Sequence, residues 1–259
     1  MPTWNPSLYL KFERERTQPV RDLISRISVP SPKKIIDIGC GPGNSTQALK
    51  IAYPNAEILG VDSSPEMIEK AKKKYPGLSF LLCDISSQLS NLPNDFDIVF
   101  SNACLHWVPN HHTLLPGLMT LLKPGGMLAV QMPMSKKSAV HTILQDVAKS
   151  DEWCDKIPNT VHHHLLPQDE YFDIFSENSS DFSLWETTYF HVMDSHQGIL
   201  EWYRGSGMRP YLEYLDEVDT PVFEKLVYDG IQKTYPVQKN NQVIFRFRRF
   251  FLLRKSSIV

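Results

Sequence analysis

Between residues 33 and 131 the chain repeats one arrangement, a short apolar run followed by a segment of helical spacing. The runs are KIIDIG, AEILGVD, LSFLLCD, FDIVFSN and MLAVQMP. Most are apolar nearly throughout rather than alternating, the mark of a strand covered on both faces of a parallel sheet. The segment NSTQALKIAY reads as a helix stopped by Pro54. SSPEMIEKAKKKY reads as a second helix, with Ser63 or Ser64 as its cap, Pro65 in the first turn and Glu66 closing a capping box. Met67, Ile68 and Ala71 form its apolar stripe. TLLPGLMTLLK is the third helix, and KPGG is its stop signal. Strands joined by helices of this length form right-handed crossovers and a doubly wound sheet.

After Pro133 the pattern changes. Residues 136–180 and 195–236 have helical character, broken in the second block at GSGMRPY. Two more strands follow, DFSLWETTYFHV and QVIFRFRRFFLLRK. The expected fold is one α/β domain over 1–259, with a mostly parallel seven-stranded sheet and a helical cap over its carboxyl edge. Its parts are an arm (1–30), a ligand-binding core (31–133), cap segments (134–180 and 192–240) and two late strands (181–191 and 242–255).

Charge narrows the partners. Lys and Arg number 27 against 29 Asp and Glu, a net charge of −2, which gives no support to a nucleic-acid or membrane-surface partner. No run reaches the roughly 20 apolar residues of a bilayer span, and the first twenty residues lack the apolar stretch of a signal peptide. The four cysteines (Cys40, Cys83, Cys104, Cys154) are scattered, with no C-x-x-C pair. A reducing, cytoplasmic setting is therefore expected, and the chain is expected to be a monomer. His106 and the run His162–His164 lack metal-ligand spacing, so no metal is expected.

Function turns on DIGCGPG, where Gly39, Gly41 and Gly43 follow the first strand. No lysine lies between Gly39 and Thr46, which removes the triphosphate-binding loop G-x-x-x-x-G-K-[ST]. A dinucleotide fingerprint needs G-x-G-x-x-G, and Pro42 takes away an amide that a pyrophosphate would use. Asp37 would repel phosphate but would pair with a cationic ligand. S-adenosylmethionine, which has a sulfonium and an amino group and no phosphate, suits it. Asp62, at the end of the second strand, can hold ribose hydroxyls of any adenosine cofactor and does not separate these readings. Asp84 suits the adenine amine, with the Ile85 backbone on the ring edge. Three acids at three strand ends lie on one carboxyl edge, where open α/β sheets bind ligands.

These motifs resemble the class I S-adenosylmethionine-dependent methyltransferases, for which DIGCGPG is the first motif. More narrowly the chain resembles the trans-aconitate 2-methyltransferase family, from WNPSLYLKFERERTQPVRDLI through GVDSSPEMI, FSNACLHWVPNH and LLKPGGMLAVQMP to TTYFHVMDSHQGILEW and GMRPYL. The resemblance implies a Rossmann-like fold and methyl transfer to a carboxylate of a small tricarboxylic acid. It also implies that Asn102 and Trp107 wall the methionine arm, with Ser63 and Met67 beside Asp62. A carboxylate is ionised at neutral pH, so no catalytic acid or base is expected. The work falls to groups that bind a polyanion. Arg209 is the first candidate, then Arg249, with Arg246, Arg248 and Arg204 behind. Trp4, Tyr9 and Phe12 are read as a lid or packing arm, and Tyr189 and His191 as possible polar contacts. Two alternatives stay open: another carboxylate, such as a malonyl thioester on a carrier protein, or an amine or hydroxyl with His106 as base.

Overall fold

The computed structural model describes residues 12–134, 138–158, 164–177 and 181–256. Seven strands form one sheet in the order β3-β2-β1-β4-β5-β7-β6. They are β1 (Lys34–Ile38), β2 (Glu57–Asp62), β3 (Ser79–Leu82), β4 (Phe96–Asn102), β5 (Leu122–Pro133), β6 (Phe182–Met193) and β7 (Val243–Lys255). The first five pair in parallel, and β7 runs antiparallel to β5. The doubly wound, mostly parallel sheet expected from the alternating runs is therefore present, completed by two late strands.

By internal contacts the chain divides into two compact units. One comprises Arg16–Pro133, His164–Thr187 and the chain from Arg249 on, and so holds the parallel strands. Ile35, Ile36, Ile38, Ile98, Val99, Phe100, Leu128 and Val130 are fully buried there. Each such side chain contributes about 1.5–3 kcal/mol of burial. Helix α1 (Glu13–Ser25) precedes β1, helices α2 (Asn44–Ala52), α3 (Pro65–Lys74) and α4 (His111–Met119) connect the parallel strands, and α6 (Gln168–Ser176) also falls in this unit. The segment 164–177, expected in the cap, thus packs with the sheet: Tyr171 lies against Phe250 and Phe175 against Phe182.

Two local readings are corrected. Of the two expected caps Ser64 is the one used in α3, its side chain accepting from the Met67 amide at 3.3 Å. Glu66 then sits one position too early for a capping box and forms an ion pair with Lys70 instead. KPGG does not separate helix from strand: α4 ends at Met119, and β5 already starts at Leu122. The strand slips register between Phe96 and Ile98, and Gly126 fits there because a Cβ would come within 3.0 Å of the Phe96 and Asp97 carbonyls.

The second unit draws on the described residues of 1–15 and 134–163 and on Thr188–Arg248. Its helices are α5 (Ala139–Ala148), α7 (His196–Arg204), α8 (Arg209–Leu212) and α9 (Asp219–Thr234). Gly230 of α9 meets Ile143 of α5 so closely that a Cβ would fall 2.6 Å from its Cγ2. Trp153 packs edge-on against Phe223, and Trp202 stacks with His191. No helix among the described residues is long and apolar enough to cross a membrane.

Candidate functional site

The sheet unit gathers a polar site where its core is driest. Asp37 is the fourth residue of β1 and is fully buried. Its Oδ2 accepts from Ser45 Oγ and Thr46 Oγ1, both at 2.7 Å, in the first turn of α2. Its Oδ1 is buried and meets no donor among the described residues. Burial is the main cause that pushes the carboxyl up to about 6; the two hydroxyls oppose it and Asp62 adds to it. A buried, half-satisfied carboxylate is costly to keep, and a cationic donor from a ligand would satisfy it.

The glycine loop wraps beside it. Gly39 has φ 70°, and a Cβ there would lie 2.1 Å from Cys104 Sγ. Gly41 has φ 54° and nothing within 4 Å of the Cβ position, so its outer face is open to close approach by a ligand. The Gly41 amide donates to Asp62 Oδ2 at 2.9 Å, and the Ser64 amide to Asp62 Oδ1 at 2.9 Å. Asp62 thus holds the glycine loop with Oδ2 and the start of the next helix with Oδ1, and a ribose would have to use its remaining lone pairs. Met67 is half-buried and Ser63 exposed. β3 stops at Leu82, so Asp84 lies two residues beyond it. There Asp84 Oδ1 accepts from the Ser86 hydroxyl and amide, which hold its carboxyl below the usual range. Asp84 is exposed and Ile85 is buried. A groove of about 600 Å³ opens beside Ile85 and is lined by none of Asp37, Gly41 or Asp62.

At the end of β4, Asn102 has its Oδ1 buried with no partner among the described residues. Ala103 follows with φ 54°, and its amide donates to the Gln131 carbonyl at 2.9 Å. A non-glycine residue held in that region is uncommon and often marks a functional turn. Trp107 is 42% exposed, while His106 is 4% exposed with its ring against the indole.

Register places these groups together. Asp37 pairs with Phe100, Asn102 with Gln131, Gln131 with Phe251 and Pro133 with Arg249. Because every second residue shares a face, Asp37, Asn102, Gln131 and Arg249 lie on one face of four adjacent strands. Arg249 is buried and its Nη1 donates to Gln131 Oε1 at 3.4 Å. Gln131 is fully buried, and its Nε2 has no acceptor among the described residues. Gln131 escaped the sequence reading, although a lone carboxamide inside the apolar run MLAVQMP was its signal.

Other expected residues lie in the second unit. Phe12 is buried against Trp202, a core position there. Tyr189 stacks on His191, which is itself buried. Arg209 is exposed at the start of α8. Arg204 is bound to Glu224, and Arg246 sits over Phe190. Arg248 is half-buried. Trp4, Tyr9, His162 and His163 lie outside the described residues.

Residues 31–192 match the family model described as a methyltransferase domain. The chain is 40% identical to a trans-aconitate 2-methyltransferase of Klebsiella pneumoniae over 255 residues, 98% of each protein. The chain belongs to the trans-aconitate 2-methyltransferase family. A second member, from Escherichia coli K12, is 38% identical over 98% of this chain and 99% of its own length. The fold likeness is wider than the trans-aconitate 2-methyltransferase family. The YcgJ protein of Bacillus subtilis aligns at TM-score 0.58 and 15% identity, over 92% of this chain and 97% of that one. A Haemonchus contortus phosphoethanolamine N-methyltransferase, solved with S-adenosyl-L-methionine, aligns at 0.57 and 16%, over 92% and 52%.

Proposed function

We propose that this chain esterifies one carboxylate of a small polycarboxylic acid, trans-aconitate being the acid that its full-length relatives are named for. The observation that carries the cofactor half of the reading is Asp37, a buried carboxylate with one oxygen unmet among the described residues. The amino group of S-adenosylmethionine suits that oxygen, with Asn102 Oδ1 as a second acceptor. Gly39, Gly41 and Gly43 bring backbone close to the cofactor. Asp62 and Ser63 serve the ribose, Met67, Asp84 and Ile85 the adenine side, and Trp107 the methionine arm. Bound there, S-adenosylmethionine supplies an electrophilic methyl group, so that a carboxylate oxygen forms the C–O bond while the C–S electron pair leaves with sulfur.

No proton has to move, so the reading needs no base. What the residues contribute is placement, which in well-oriented cases is worth up to about 7–11 kcal/mol. Arg249 supplies positive charge for the acid, with Arg209, Tyr189, Trp4, Tyr9 and Phe12 as further substrate candidates. The protein acts as a cytoplasmic monomer, a setting that its four unpaired thiols suit. The test is release of S-adenosylhomocysteine with a panel of di- and tricarboxylates beside matched amines and alcohols. Turnover of trans-aconitate or a close analogue supports the reading, and methylation of amines or alcohols alone overturns it.

A further inference from the structure

The four polar groups on the buried face run in a definite order of charge. Asp37 on β1 is the acid, Asn102 on β4 and Gln131 on β5 are carboxamides, and Arg249 on β7 is the base. Adjacent strands are about 4.8 Å apart, so the row spans three strand spacings, roughly 14 Å. The floor beneath it is dry: Phe100, Ala129 and Phe251, which share this face, are fully buried. A ligand matching the row carries a cation at the β1 end and an anion at the β7 end.

The orientation of Gln131 makes the anionic end specific. A guanidinium only donates, so the Gln131 oxygen must be the atom that meets Arg249 Nη1. That turns Nε2 away from Arg249, and there it is buried with no acceptor among the described residues. A buried amide N–H without an acceptor is destabilising and rare. Asn102, its neighbour in register, presents the opposite need, a buried oxygen without a donor. The two carboxamides therefore divide the row into a half that wants donors and a half that offers them.

We infer that Gln131, held in place by Arg249, receives a carboxylate of the acid substrate and so selects for polycarboxylates. The carboxylate held there is one that is not methylated, because an oxygen paired with donors is a poorer nucleophile. Arg249 brings positive charge to the same spot and fixes which way the carboxamide points. This inference rests on the function proposed above and adds to it the group that tells an acid with extra carboxylates from one without. A carboxylate could also come from the methionine end of the cofactor, and the test separates the two sources.

The experiment compares wild type with Gln131→Glu and Gln131→Met, using trans-aconitate, a dicarboxylate and a monocarboxylate of similar size. S-adenosylhomocysteine affinity is measured by calorimetry on each protein, and melting temperature checks folding. Gln131→Glu keeps the shape and can still accept from Arg249, so it should fold, yet it sets a negative charge against the substrate. The expected result is a KM for trans-aconitate raised about 100-fold, and about 10-fold in Gln131→Met. The monocarboxylate should be little affected, and S-adenosylhomocysteine affinity should stay within about threefold of wild type. A weaker cofactor affinity with unchanged KM would assign the carboxylate to the cofactor and overturn the inference. An equal loss for all three acids would also overturn it. Wild type that methylates none of the acids would defeat the functional reading itself, and the inference with it.

Discussion

Asp37 is held between two opposing demands. Its burial raises its folded pKa from 3.8 to about 6, so the folded chain holds this proton more tightly than the unfolded chain does. The associated stability is present below pH 3.8 and is lost as pH rises through about 6. By neutral pH the ionised group costs roughly 3 kcal/mol. Asp37→Asn should therefore raise the melting temperature at pH 7 while cofactor affinity collapses; a fall in both would make the residue purely structural. In wild type, affinity for a ligand with an ammonium group should weaken as pH falls below about 6, because protonated Asp37 no longer attracts it. The glycines part in the same way. Gly39→Ala drives a Cβ into Cys104 and should abolish folding, whereas Gly41→Ala meets nothing in the protein. Gly41→Ala should lose about 1 kcal/mol of stability for its positive φ, yet weaken cofactor binding about tenfold or more by titration. The residue types at 37, 39, 41 and 43 were legible because each has few other uses at a strand end. The bonds that Asp62 and Asp84 make to nearby amides were not, since they depend on turn geometry that residue type leaves open.

At the scale of elements, the turn after β4 is braced from α4 and α6. His111 Nε2 lies 2.8 Å from the Leu105 carbonyl and Nδ1 lies 2.6 Å from the Tyr171 hydroxyl, which also accepts from the Leu166 amide at 3.3 Å. These partners fit one neutral tautomer, with Nε2–H donating and Nδ1 accepting from Tyr171. Burial lowers the His111 pKa, so its contribution to stability is present above pH 6.5 and is lost as pH falls below that value. Tyr171→Phe should cost about 1–3 kcal/mol in urea unfolding, because it leaves the His111 nitrogen and the Leu166 amide without their partner. An unchanged midpoint would mean the network carries no energy. The inner strands β1 and β4 were readable because burial on both faces makes them unbroken apolar runs, whereas β3 at the edge leaves Leu81 and Leu82 exposed. The early start of β5 was not, because Lys123-Pro124-Gly125-Gly126 is also a turn signal, and only the register slip against β4 shows the strand passing through it. Gln131 was hidden for a related reason: one carboxamide in an apolar run acquires meaning only when pairing sets it beside Asn102 and Arg249.

For the whole molecule, a net charge of −2 offers no long-range attraction to an anionic substrate. The charge proposed to receive the acid is that of the buried Arg249, where salt screens little. Turnover of a tricarboxylate (kcat/KM) should therefore change less than about threefold between roughly 50 and 200 mM salt. A steep fall would instead indicate docking through a charged surface, as a carrier-protein substrate would require. The candidate cofactor end could be proposed from sequence, since Asp37, the glycine loop and Asp62 follow in order along the chain, although Asp84 lies two residues past β3. At the proposed acid end Arg249 was among the sequence candidates, but its pairing with Gln131 was not readable, because β5 and β7 lie far apart in sequence. The most direct test of the account is one incubation of the purified protein with S-adenosylmethionine and trans-aconitate. The account predicts equal amounts of S-adenosylhomocysteine and a base-labile monomethyl ester, heavier than the acid by one methylene. Cofactor binding without ester, or a methyl group resistant to base, would contradict it.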